Sequence, residues 1–255
     1  MVDNIKSNFY TRYLFSLIED VKQLQLVKYN KSLQQILNLN IMNYRVFSCK
    51  YTVYEDEANR NGKIYNAFEN KLIFEGELIN GRKNGKGKEY NNAGKIIFEG
   101  EYLYGKRNGK GKEYNLNGTI KFEGEYLNGK RDGKGKEYYE NGNIMNEGEY
   151  LNGKKNGKIK EYYDNSELLF EGEYINGLRH GIGKEYSQYG EIDYKGEYLD
   201  GKRWNGEGIE YNDSGNIEFI GEYLNGKRWN GKVTEYDYDD GEIILEEELV
   251  NGIKI

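Results

Sequence analysis

A mainly β architecture is the fold class this sequence predicts: an elongated, single-layer antiparallel β-hairpin repeat rod with a small helical cap at its N-terminus. Three observations predict it. Variants of Glu-Gly-Glu-Tyr recur with their glycines at Gly76, Gly100, Gly124, Gly148, Gly172, Gly196 and Gly221. The first six stand 24 residues apart and the last step is 25, a period at which each unit buries its apolar face against its neighbours. The 255 residues include 26 Tyr, 9 Phe and 2 Trp, enough large rings to build a thin core despite a mean hydropathy of -0.96. Finally, 34 Gly and no Pro suit tight turns between strands whose ladders need every backbone donor.

The elements follow in chain order. Residues 1–48 contain no glycine and place apolar residues at helical spacing, as in Phe9, Tyr13 and Leu17 or Leu14, Ile18 and Val21. Asp20 and Ser32 are candidate helix caps, so two or three short helices are expected here. The repeat region is expected over 49–255. Residues 51–73 read as a degraded first unit with turn positions at Asn61-Gly62 and Asn70. Clear repeats run over 74–244. A decayed unit, 245–255, closes the array, with Glu247 at the glycine position. Imperfect terminal units are the rule in such arrays.

Within a repeat the grammar is that of a hairpin. Alternation along Phe98-Glu99-Gly100-Glu101-Tyr102-Leu103 puts Phe98, Gly100 and Tyr102 on one face and the two glutamates on the other. Asn-Gly pairs at 84–85, 108–109, 128–129, 141–142 and 152–153 are expected to mark hairpin ends, because both residues tolerate positive φ. Three aromatic columns result. The first holds Phe74, Phe98, Phe122, Phe170 and Tyr194 and is broken by Asn146; the second runs from Tyr102 to Tyr223. The third runs from Tyr90 to Tyr236, and its face is open, since a bulge would reverse it.

Residues 122–138, Phe-Glu-Gly-Glu-Tyr-Leu-Asn-Gly-Lys-Arg-Asp-Gly-Lys-Gly-Lys-Glu-Tyr, resemble the MORN repeat, and the likeness recurs from about Phe74 to the C-terminus. Tyr stands where the family usually has Trp after Gly-Glu, and only His180 keeps the His before the second glycine. The resemblance implies a β-sheet rod acting as a scaffold, dimerisation element or membrane-proximal adaptor. A second likeness lies in the helical segment. Leu14-Phe15-Ser16-Leu17 followed by Leu24-Gln25-Leu26-Val27 is similar to an F-box, which implies docking of Leu14, Phe15, Leu17, Leu24, Leu26 and Val27 on the adaptor of a cullin ubiquitin ligase.

Chemistry has few places to reside. His180 is the only histidine and Cys49 the only cysteine, so neither a triad nor a zinc site can be assembled around them. His180 reads as a turn residue and Cys49 as a small buried apolar side chain. Asn-Gly-Lys-Gly-Lys lacks the spacing of a phosphate loop. Glu75/Glu77 and Glu99/Glu101 read as one polar face, with Lys86/Lys88 and Lys110/Lys112 opposite them. The expectation is a protein without catalytic activity, cofactor or metal.

Three readings of the surface remain. The first is an extended platform for protein partners or self-association, with Trp204 and Trp229, each inserted in a Lys-Arg-Trp-Asn-Gly turn, as partner-binding residues. The second is a stripe of Lys106, Arg107, Lys130, Arg131, Lys154, Lys155, Lys202, Arg203, Lys227 and Arg228 meeting anionic lipid. The third is the F-box-like receptor. Nucleic acid is not expected, because the repeat region is acidic. With no basic-then-apolar leader at the start and no long apolar run, a cytoplasmic protein is expected, free or held at a membrane or the cytoskeleton.

Overall fold

Every repeat converts its period-two alternation into a pair of antiparallel strands. The structure is a computed structural model that describes residues 50–56, 60–237 and 241–255. The helices expected over 1–48, with the F-box-like residues and Cys49, lie outside the described residues. The chain divides into two compact units, 1–105 and 106–255. The first holds β1 (Lys50–Asp56), β2 (Asn61–Asn66), β3 (Leu72–Ile79), β4 (Arg82–Tyr90) and β5 (Ile96–Leu103), each paired antiparallel with the next.

The second unit continues the pattern with β6 (Lys106–Tyr114), β7 (Ile120–Leu127), β8 (Lys130–Tyr138), β9 (Ile144–Leu151), β10 (Lys154–Tyr162) and β11 (Leu168–Ile175). After these come β12 (Leu178–Tyr186), β13 (Ile192–Leu199), β14 (Lys202–Tyr211), β15 (Ile217–Leu224), β16 (Lys227–Tyr236), β17 (Ile243–Val250) and β18 (Ile253–Lys254). Within this unit pairing is antiparallel and sequential, as in β6–β7, β7–β8 and β8–β9. The β-hairpin repeat architecture expected from the period is therefore what the described residues adopt.

Asn128-Gly129 and Asn152-Gly153 make the tight turns that the sequence predicts, with φ of 52° and 90° in the first pair. Asn84-Gly85 and Asn108-Gly109 do not close hairpins, contrary to expectation: they lie inside β4 and β6. Gly85 spends its positive φ of 65° on a bulge, in which residues 84–86 oppose Glu77 alone. The Glu77 carboxylate accepts a hydrogen bond from the Lys86 amide at 3.0 Å, so the bulge satisfies its own backbone. Asn61-Gly62 likewise opens β2 instead of turning, with Gly62 opposite Gly76. Asn70, at φ 55°, does sit at a turn.

A single layer buries its rings by laying them flat. Phe122 is 0% exposed. Its ring lies over the backbone of Gly135, where any Cβ would collide with it. Tyr126 and Tyr150 meet it edge-on, with ring centroids 5.7 and 5.3 Å away. The Arg131 guanidinium closes the top, 4.0 Å from the ring centroid. The glycine columns are thus the floor, the first two aromatic columns the filling and an arginine the lid. Phe219, which extends the first column, is equally buried, and the second-column place is taken by Leu78 in the first clear repeat and by Leu249 in the terminal unit.

The third column lies on the opposite face. Alternation from Gly135, on the core face, puts Tyr138 outward beside Lys136, and its hydroxyl donates to Glu123 at 2.7 Å. Tyr162 and Tyr186 repeat the contact with Glu147 and Glu171 at 2.8 and 2.9 Å.

Candidate functional site

The second unit presents two chemically distinct faces. On the core face, alternation along β8 from Gly135, which lies under the Phe122 ring, directs Glu137 inward, and its equivalents Glu113, Glu161, Glu185 and Glu210 form a column beside the rings. Arg131 bonds Glu113 at 2.7 Å and also pairs with Glu137. Arg179 bonds Glu161 at 2.9 Å and pairs with Glu185, which Arg203 also contacts. Burial alone would raise the Glu113 carboxyl, but the hydrogen bond and charge of Arg131, with Tyr126 and Arg107, outweigh it and hold it below the ordinary value. Glu161 behaves the same way: burial opposes, and Lys155, Arg179 and Tyr174 prevail. This glutamate column escaped the sequence reading. Its sequence signal is the repeated Glu-Tyr at the end of each second strand, where alternation sends the two side chains to opposite faces.

That column divides the expected cationic stripe. Arg107, Arg131, Lys155, Arg203 and Arg228 turn to the core face and pair with it. Arg203 and Arg228 also sit 4.9 and 5.0 Å from the rings of Tyr194 and Phe219. As members of a solvent-facing stripe these side chains are corrected: alternation after the turn points the second cation of each pair inward. Lys106, Lys130, Lys154, Lys202 and Lys227 remain exposed and form no ion pair among the described residues.

On the outer face, lysine and glutamate alternate across strands as the sequence predicts, Lys112 opposite Glu123 and Lys136 opposite Glu147. Their charged atoms approach to 3.4 and 2.9 Å. Beside this checkerboard, next to the hairpin turns, runs a row of exposed aliphatic side chains: Leu127, Leu151, Ile175, Leu199 and Leu224. Each ends the first strand of its hairpin and faces the first residue of the second, as Leu127 faces Lys130 and Leu151 faces Lys154. In the middle hairpin the partner is itself aliphatic, with Ile175 facing Leu178.

Neighbouring turns are tied together, so the row is held in place. The Gly153 amide donates to the Arg131 carbonyl at 2.8 Å, and the Asn152 amide to the Asp132 carboxylate at 3.0 Å. Asn156 and Asn205 cap Asn176 and Asn225 likewise. His180 fills the corresponding place, inside β12 and not in a turn as expected, its Nδ1 3.9 Å from Asp200 on the next turn. Among the described residues no group of His, Cys, Asp and Glu is placed to hold a metal ion.

Trp204 and Trp229 are not at turn tips. They lie inside β14 and β16, where Tyr198 pairs with Arg203 and Glu197 with Asn205, leaving Trp204 as the extra residue of a bulge. Each ring is half-buried against the next hairpin's turn and not its own. A Cβ placed on Gly226 would lie 3.3 Å from the Trp204 ring, and one on Gly252 3.5 Å from that of Trp229.

The family model of the MORN repeat matches residues 74–94, 98–120, 122–144 and 170–188, and that of the MORN repeat variant matches 155–176. No curated protein matches the sequence. Among solved structures, a mutant S. aureus TarM in complex with fondaparinux, α-GlcNAc-glycerol and UDP is similar at 13% identity and a TM-score of 0.28. That similarity covers 62% of this chain but 27% of the other. A protein of unknown function from Bacteroides caccae is similar at 11% identity and a TM-score of 0.17, over 77% of this chain and 72% of that one.

Proposed function

We propose, for a chain that carries tandem MORN repeats across residues 74–188, that it is a non-enzymatic interaction scaffold whose outer face binds protein partners. The observation that carries this is the exposed aliphatic row at Leu127, Leu151, Ile175, Leu199 and Leu224. Isolated exposed aliphatics are ordinary, but aligned ones that recur with the repeat form an apolar strip of the kind that marks an interaction surface. The inter-turn hydrogen bonds preorganise that strip, so a partner meets it with little ordering cost.

Affinity capture with the full chain, combined with light scattering, tests the reading. A saturable protein partner or a defined oligomer is expected. A strict monomer that captures nothing specific would remove it.

A membrane-surface role is the second reading, favoured by the exposure of Lys106, Lys130, Lys154, Lys202 and Lys227. Five cations at about 1 kcal/mol each support at most a salt-sensitive attachment. Flotation with anionic vesicles at low and high salt tests it, and absence of binding at low salt would end it.

A further inference from the structure

The geometry of the outer-face row points to a specific occupant: we propose that it seats an amphipathic α-helix of a protein partner, lying across the strands, with an apolar side chain about every seventh residue and acidic side chains beside it. The inference rests on the scaffold reading and names the partner's chemistry.

Spacing comes first. Leu127, Leu151, Ile175, Leu199 and Leu224 lie on alternate strands, so neighbours in the row are about 9.6 Å apart. A helix advances about 10.5 Å in seven residues, which brings one side chain per heptad opposite each hairpin. The residual mismatch of about 1 Å per hairpin is within the reach of flexible Leu and Ile side chains over a few repeats.

Backbone chemistry comes second. The row lies on a face and not at a sheet edge, so it offers a ligand no row of free N–H and C=O groups. An extended peptide would leave its own backbone polar groups unmatched there, whereas a helix satisfies its own.

Charge comes third. The aliphatic centre, Ile175 facing Leu178 at 48% and 49% exposed, is flanked along the row by Lys130, Lys154, Lys202 and Lys227, which form no ion pair within the described chain. Apolar contacts at the middle with lysines on either side complement a helix whose leucines are flanked by Glu or Asp. A bilayer fits less well: a plane would also have to cover the adjoining checkerboard, in which Lys112 pairs with Glu123 and Lys136 with Glu147. A helix, about 10–12 Å wide, covers only the row.

The test uses the full chain and a synthetic helix-forming peptide of about four heptads, with one leucine per heptad between glutamates. Three controls accompany it: the same composition with leucines off the heptad, a version with lysine in place of glutamate, and anionic vesicles. Leu178→Lys with Ile175→Gln is the informative variant. The first change installs the residue that Lys130, Lys154 and Lys202 already supply at that position, and the second alters a half-exposed side chain, so the unfolding temperature should not move.

The heptad peptide should bind in fluorescence anisotropy, and the variant and the lysine-flanked peptide should each weaken binding about tenfold or more. No binding, or equal binding by the off-heptad peptide or by the variant, overturns the inference. Loss of vesicle binding in the variant without peptide binding would assign the row to membranes instead. A captured protein partner that the variant still retains would leave the scaffold reading standing and remove the helix seat alone.

Discussion

Asn146 and Ile159 have exchanged bulk relative to the other repeats. Asn146 occupies the first-column position held elsewhere by Phe or Tyr, and it is 1% exposed. Ile159 occupies the position of Gly135 and Gly183, over which the rings of Phe122 and Phe170 lie. Where the ring is missing the floor has risen to fill the space, and Ile159 is 2% exposed. Asn146 keeps its polar atoms satisfied: its amide donates to Glu137 at 2.7 Å and its carbonyl accepts from the Tyr150 hydroxyl.

The pair should therefore behave as a unit. Asn146→Phe alone forces a ring against Ile159 and costs about 1–3 kcal/mol from overpacking, with more from the stranded Tyr150 hydroxyl. Ile159→Gly alone opens a cavity and loosens a strand, costing about 3–5 kcal/mol. The double variant restores the grammar of neighbouring repeats and should lie within about 1 kcal/mol of the parent, a coupling of at least ~2 kcal/mol. Urea unfolding of the four proteins measures this, and additive losses would contradict the exchange.

Acid should attack the arginine–glutamate column. The carboxyls of Glu113, Glu161 and Glu210 lie below the ordinary 4.5 in the folded state, burial being outweighed by Arg131, by Lys155 with Arg179, and by Arg228 with Tyr223. The sign follows. An unfolded chain takes up these protons before the folded one, so their contribution is complete above pH 4.5 and is lost as pH falls through the lowered folded values. The urea midpoint should drop across that window, and Glu161→Gln should make the drop shallower. At the alkaline end, burial and then the hydrogen bond to Glu147 push the Tyr162 hydroxyl up to about 12 from 10.0. Its contribution is complete below pH 10 and fades as pH rises through the raised value. Delayed phenolate absorbance on titration would register it.

Much of this could be read from residue order, and the failures share one cause. Period, strand alternation and the two buried aromatic columns are local or translational signals, and they were legible. Bulges were not. Three residues opposing one at Glu77 put Asn84-Gly85 inside a strand without changing any periodic spacing. The same gap placed Asn84-Gly85 in a turn, and the outward face of the third tyrosine column and the inward face of Arg131 emerge only once Gly135 and Tyr126 are seen beside them. Pairing partners, not propensities, decide such positions, and pairing appears only once both strands are placed.

The inter-hairpin turns offer a stabilising substitution. Gly118, Gly142, Gly190 and Gly215 hold the left-handed position of these turns, with φ of 83–91°. Ser166 holds it in the repeat between Tyr163 and Glu167, at φ 74°, its amide donating to the Tyr163 carbonyl at 3.0 Å. A residue with a Cβ pays about 1 kcal/mol for that conformation, against a smaller gain from reduced freedom in the unfolded chain. Ser166→Gly should raise stability by roughly 0.5 kcal/mol, and Gly142→Ser should lower it similarly. Thermal unfolding of both variants checks the sign.

The two tryptophans separate bracing from binding. Trp204 covers the Asn225-Gly226 turn of the following hairpin, and its carbonyl accepts from the Gly226 amide at 2.9 Å. Loss of the ring leaves that hydrogen bond possible but uncovers the turn. With about 100 Å² of apolar surface returned to water, Trp204→Ala should cost about 1–3 kcal/mol. Trp229→Ala should cost a comparable amount, because its ring lies over Gly252 in the same way. If the rings also contact a partner, affinity will fall in Trp204→Ala and hardly at all in Trp204→Phe, which keeps an aromatic over Gly226. If they only brace, both stability losses appear while capture of the partner is unchanged. Measuring unfolding and capture on the same variants distinguishes the two roles, and no loss of stability in either alanine variant would deny the bracing contact its weight.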